Sequence, residues 1–140
     1  ARIESAFGDD AIGRSAALNS SVGEAASLGE RFPELQFFEG LARMRRGFAY
    51  RDEGEFDKAG VDFERAGYVF SREADQAGDR KAEILAIAGD AYLNLGEALQ
   101  LAGDRSEEAF AKAVSHQEHA VSLDPGFVPQ LERARRASGD

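Results

Sequence analysis

Apolar residues along the chain recur at intervals of three and four, the period of a helix with one buried face. Phe56, Ala59, Phe63, Ala66 and Phe70 make one such stripe, and Ile84, Ala88, Ala91, Leu95, Ala98 and Ala102 make another. Leu85, Tyr92 and Leu99 add a second stripe to the latter segment, which predicts a helix covered on two sides. No stretch of useful length alternates strictly between apolar and polar, the signature of a half-buried strand. The pattern predicts an all-α fold of six to seven helices.

Helix boundaries follow from residues that satisfy or break the terminal hydrogen bonds. Ser21-Val22-Gly23-Glu24 fits a capping box and predicts that a helix starts near residue 22, separated by Asn19-Ser20 from a shorter one before it. Pro33 is expected to end that second helix, since it disfavours helix in Phe32. Gly54, Gly78 and Gly103 each follow a periodic segment, where a left-handed residue lets a helix stop. Asp79 and Asp104 stand where an N-cap is wanted, Asp104 with Glu107 three residues later. Pro125 and Pro129 bracket the last turn. The expected helices lie near 10–18, 22–31, 34–53, 55–77, 80–102, 106–122 and 128–138. They group into one domain over 1–140: N-terminal helices 10–31, a unit 34–77, a unit 80–125 and a terminal capping helix 128–138.

Composition narrows the chemistry. The 140 residues carry 17 Lys and Arg against 26 Asp and Glu, a net charge of −9, and an acidic chain lacks the basic footprint that nucleic acid requires. There is no Cys, which removes disulfides, thiol nucleophiles and thiolate metal sites. No segment has the 18 or so consecutive apolar residues that span a bilayer. Ala1-Arg2-Ile3-Glu4 shows no charged-then-apolar signal pattern, so a cytoplasmic location is expected. His116 and His119 are three apart on one helix, but no further ligand pattern accompanies them. Phosphate-binding glycine loops and Ser-His-Asp order are missing too. These features argue against an enzyme, a metal or a cofactor.

The chain repeats internally. Gly40, Gly47 and Gly54 are spaced by seven, as are Gly89, Gly96 and Gly103, with Ala42/Ala91 and Ala49/Ala98 matching at the same 49-residue offset. Allowing five inserted residues, Phe56, Ala59 and Ala66 align with Phe110, Ala113 and Ala120. Gly inside a helix costs about 0.5–1 kcal/mol against Ala, so corresponding interior glycines suggest close helix–helix approach. Each unit reads as a helical hairpin.

These residues resemble the tetratricopeptide repeat. The second unit carries Tyr92, Leu95-Gly96 and Leu99, then Ala113, Ala120 and Leu123-Asp124-Pro125. The first carries Gly47, Tyr50, Gly54, Ala59, Phe63 and Ala66. Arg43 and Arg46 stand where the family places Trp and Leu, Gln117 replaces a Phe, Ser71 replaces Pro, and the period exceeds the usual 34 residues. The resemblance covers roughly residues 40–125. It implies a right-handed stack of hairpins whose first helices line a concave face, and a non-catalytic module that binds another protein or peptide.

On the family's pattern the groove-facing positions are Leu41, Met44, Phe48, Arg51 and Asp52 in the first unit. In the second they are Asp90, Leu93, Glu97, Gln100 and Leu101. With Phe37, the first set forms an apolar row that reads either as a slot for a partner or as core beneath the N-terminal helices. Met44 and Phe48 replace the Lys and Asn of the family's carboxylate clamp, which argues against a C-terminal carboxylate as ligand. Arg43, Arg45, Arg46 and Arg51 form a basic island that either receives acidic groups or is neutralised by Glu39, Asp52, Glu53 and Glu55. Homodimerisation through the apolar row or the end units is the alternative role.

Overall fold

The computed structural model describes residues 10–31 and 35–139, with side chains from residue 19 onward. Among these residues there are six α-helices and no strand: α1 Asp10–Arg31, α2 Gln36–Asp52, α3 Phe56–Ala74, α4 Lys81–Leu101, α5 Glu107–Leu123 and α6 Val128–Ala137. Short 3-10 turns, Gly78–Arg80 and Pro125–Phe127, precede α4 and α6. Each helix packs on the next along the chain, and α6 also touches α4. Gly40 meets Phe70 while Gly47 meets Phe63, so α2 and α3 run antiparallel. Gly89 with Gln117, and Gly96 with Phe110, show the same for α4 and α5.

The apolar stripes become the core. Ala59, Phe63, Ala66 and Phe70 on α3 are fully buried, as are Ala88, Ala91 and Ala98 on α4. Leu85 and Tyr92 are buried as well, so α4 is enclosed on two sides, as its double stripe requires. No helix among the described residues is long and apolar enough to cross a membrane.

Helix ends follow the glycines. Gly54 and Gly103, close behind α2 and α4, have φ of +79° and +80°, a region closed to most side chains. Gly78 is left-handed too, at +57°, but it opens the 3-10 turn; α3 has already ended at Ala74, short of the expected residue 77. At the first pair the closing bonds coincide. Gly54 N–H donates to Arg51 O and Glu55 N–H to Tyr50 O; Gly103 N–H donates to Gln100 O and Asp104 N–H to Leu99 O. These are the paired bonds that satisfy the last orphan carbonyls of a helix.

Several expected boundaries are overturned. Residues 10–31 form one continuous helix, so Ser21-Val22-Gly23-Glu24 is not a start. Unbroken helix keeps the backbone bonds that a cap would only replace, and Asn19 turns its carbonyl outward to Arg46 and Tyr50. Asp104 is not the N-cap of α5 either. Its N–H is spent closing α4, and α5 begins after Ser106, which makes no side-chain cap bond. Asp79 lies inside the 3-10 turn ahead of α4. Pro33 falls outside the described residues.

The repeat register also needs correction. Phe63 covers Gly47 and Phe110 covers Gly96, so Phe63 corresponds to Phe110, an offset of 47. The alignment of Phe56, Ala59 and Ala66 with Phe110, Ala113 and Ala120 is therefore slipped by two helical turns. Apolar residues recurring every seven positions look alike when shifted by seven; only the facing glycines fix the register.

Candidate functional site

The apolar row of α2 lies half-buried along the side of α2 that faces α4. Phe37 stands edge-on to Phe70, with centroids 5.4 Å apart, and Phe48 edge-on to Phe63 at 5.2 Å. Leu41 packs against the core cluster around Phe70, and Met44 against that cluster and the one around Phe63. Arg51 lays its guanidinium over the Phe48 ring, 5.0 Å from the centroid, and donates to Asn94 Oδ1 on α4 at 3.3 Å. The row thus forms the rim of the core, with its inner edges packed and its outer edges open. It does not lie beneath α1, whose Asn19 reaches α2 at Arg46 and Tyr50, on the opposite flank. On α4, Glu97 and Leu101 are exposed, Leu101 by 57%, whereas Leu93 is buried in the core. Arg45 and Gln100 are exposed as well.

The basic island divides. Arg43 and Arg46 are consumed internally, by carboxylates that sequence spacing only half identified. Arg46 binds Asp62 through Nε at 2.7 Å and Nη2 at 2.6 Å, the two-pronged geometry that suits a guanidinium. Asp62 is 1% exposed. Its hydrogen bond raises the Arg46 pKa above the ordinary guanidinium value, outweighing the opposing effect of burial. Glu39, also buried, accepts from Arg43 Nε at 3.0 Å and Arg65 Nε at 3.2 Å. Asp62 lies on α3, sixteen residues from Arg46, and no local pattern signals that pairing.

The second hairpin places different polar groups at its interface. Gln117 is 1% exposed and stands over Gly89 as Phe70 stands over Gly40. Its Nε2 donates to Ala86 O at 2.9 Å and to Asp90 Oδ1 at 3.3 Å, while its Oε1 is buried with no hydrogen-bond partner among the described residues. Arg133 on α6 donates to the same Asp90 oxygen at 3.0 Å. Desolvation raises the Asp90 pKa above the usual carboxylate range, and Arg133 offsets part of that rise.

His116 uses both ring nitrogens. Nδ1 lies 2.7 Å from Lys112 O and so must donate; Nε2, 2.7 Å from Ser71 Oγ, accepts in the neutral ring. This ties α5 to α3. His119 is exposed one turn on, and the described residues contain no group of three or more His, Asp or Glu placed to hold a metal. No family model, curated protein or solved structure matches the chain.

Proposed function

We propose that this chain is a non-catalytic protein-interaction module of tetratricopeptide type, which binds a partner segment across the face shared by α2 and α4. The observation that carries this reading is the half-open apolar row of α2 packed on the rim of the core, from which Arg51 reaches Asn94 on α4, with charges flanking it. Leu41, Met44 and Phe48 supply adaptable apolar contact, Leu101 extends it, and Arg45, Arg51 and Glu97 set polarity. The matching glycine-closed hairpins support the family reading, and α6 serves as the polar end that a stacked array needs. On α6, Leu131 and Ala134 turn inward, while Glu132, Arg133, Arg135 and Arg136 remain exposed.

A peptide-display selection tests this. Selected peptides should lose at least about tenfold in affinity, roughly 1.4 kcal/mol, when Leu101→Asp or Arg45→Glu is introduced. Both positions are exposed, so the fold should hold. Unchanged affinity in both variants contradicts the assignment of this face.

A further inference from the structure

The two second helices, α3 and α5, are covered to different extents. Offset by 47 residues, the 3-10 turn Gly78–Arg80 corresponds to Pro125–Phe127, and Lys81, the first residue of α4, corresponds to Val128, the first of α6. α6 therefore starts on α5 as α4 starts on α3. It stops after ten residues, where α4 runs for twenty-one. In the first hairpin the later turns of α4 cover α3. The Tyr92 ring stands over Gly67, and Leu95 Cδ1 lies 3.6 Å from where a Cβ on Gly60 would be. At the same offset Tyr92 corresponds to Gly139, so α6 supplies no side chain at that level.

A cavity of about 550 Å³ lies in that gap. Glu107, Phe110, Ala111 and Val114 of α5 line it, the counterparts of Gly60, Phe63, Glu64 and Gly67 on α3, and Ala137, Ser138 and Gly139 bound it at the end of α6. Ser106 lines it too. It is only 9% exposed, and its hydroxyl makes no hydrogen bond among the described residues. Glu107 is exposed and enters no ion pair among them, while its neighbour Glu108 is taken by Lys112. Gln100 reaches the cavity from α4, at the position that Arg51 holds on α2 by the 49-residue offset of the glycines. Arg51 is the side chain that bonds Asn94 on the helix covering α3.

We propose that this cavity docks a helix of a partner protein, antiparallel to α5, with an aliphatic residue over Val114 and a Lys or Arg three positions later at Glu107. The spacing is the molecule's own: Tyr92 and Leu95, three apart, cover Gly67 and Gly60, seven apart. The side chains differ from those of α4 for two reasons. Tyr92 presses on Gly67 because that residue has no Cβ, whereas Val114 fills the same space, so a shorter aliphatic side chain fits. Leu95 meets a glycine, but its counterpart meets the Glu107 carboxylate, for which a cation is the complement. An amide between the two takes a hydrogen bond from Gln100, as Asn94 does from Arg51. No residue of the α2 row lines this cavity, so either assignment can fail without the other.

An NMR titration of the nitrogen-15-labelled chain tests the proposal, with circular dichroism as a check on folding. The probe is a lactam-bridged helical peptide of Ala and Gln that carries Leu, Asn and Lys at the first, third and fourth positions of one turn. Saturating shifts are expected at residues 106–114 and 137–139. Ala111→Asp and Glu107→Lys, both at exposed positions, should each weaken binding at least about fivefold. A peptide with Glu in place of Lys should bind the Glu107→Lys chain more tightly than the parent. Arg45→Glu, on α2, should leave affinity intact. Equal affinity in either folded variant, Ala111→Asp or Glu107→Lys, overturns the proposal, as does absence of saturation at millimolar peptide. Self-association of the parent chain that Ala111→Asp abolishes also overturns it, because the surface would then belong to a second copy.

Discussion

The two hairpins share a backbone plan and fill it with opposite chemistry. Gly40 and Gly47 on α2 correspond to Gly89 and Gly96 on α4, and in each case a long side chain from the second helix lies where a Cβ would be. In the first hairpin the positions beside these contacts are Glu39, Arg43, Arg46 and Asp62. Their counterparts in the second are Ala88, Tyr92, Leu95 and Ala109, all buried and apolar. At the Gly40/Gly89 level the exchange reverses, with Phe70 in the first hairpin and Gln117 in the second. Leu41 likewise becomes Asp90. Helix separation is thus set by the glycines, while the interface accommodates either an ion-pair layer or an apolar one.

The ion-pair layer gives the largest expected effect. Asp62→Ala leaves Arg46 without its bidentate partner inside the α2–α3 interface and should cost about 3–5 kcal/mol. Installing the second hairpin's residues together, Arg46→Leu with Asp62→Ala, should recover most of that loss, because a packed apolar pair often replaces a buried ion pair at no net cost. Urea denaturation of both variants decides the matter. A double variant no more stable than the single one would break the claim that the two chemistries are interchangeable on this backbone.

Next comes the close approach itself. A Cβ at Gly96 would lie 2.5 Å from the Phe110 ring, and one at Gly47 would lie 2.7 Å from Phe63. Gly96→Leu should therefore destabilise by about 1–3 kcal/mol through overpacking, more than the roughly 0.8 kcal/mol returned by better helix propensity. A melting temperature at or above that of the parent would mean that the helices part without cost.

Gln117 offers a smaller change of opposite sign. Replacing it with Leu removes the buried, unpartnered Oε1 and makes the second hairpin resemble the first at that level. The lost donations to Ala86 and Asp90 oppose the gain, so Gln117→Leu should stabilise by only about 1 kcal/mol. A clear fall in thermal stability would show that this amide is needed where it stands.

Asp90 gives the subtlest effect. Its folded pKa is raised, so the protonated form favours the folded state. Its contribution is fully present below the unfolded value and is lost as pH rises through the raised folded value. Asp90→Asn should flatten that part of the stability profile and leave the neutral-pH melting temperature unchanged or slightly higher. A steeper decline in the variant would reverse the sign.

Much of this architecture is legible in the sequence, because it rests on local signals. The three- and four-residue apolar period locates α3 and α4 on their buried stripes, and Gly54 and Gly103 mark the stops that their positive φ explains, whereas α3 ends at Ala74, ahead of Gly78. The failures share one cause. Ser21 and Asp104 have the chemistry of a cap, but whether a cap forms depends on where neighbouring backbone bonds go. The pairing of Phe63 with Phe110 and of Arg46 with Asp62 depends on residues that meet across an interface, which spacing along one helix does not encode. Of the candidate binding residues, Arg45, Glu97 and Leu101 are exposed, whereas Leu93 turns inward because α4 is enclosed on two sides.

The claim that glycine sets the separation of these helices is tested most directly by a double-mutant cycle on Gly96→Ala and Phe110→Leu, read by urea denaturation. If the Phe110 ring occupies the space of the missing Cβ, shortening it should relieve the clash made by the added methyl group, and the two changes should couple. The double variant is then expected to be more stable than the sum of the single losses by about 1 kcal/mol. Additivity within about 0.3 kcal/mol would contradict the account, since the two side chains would then not compete for one space.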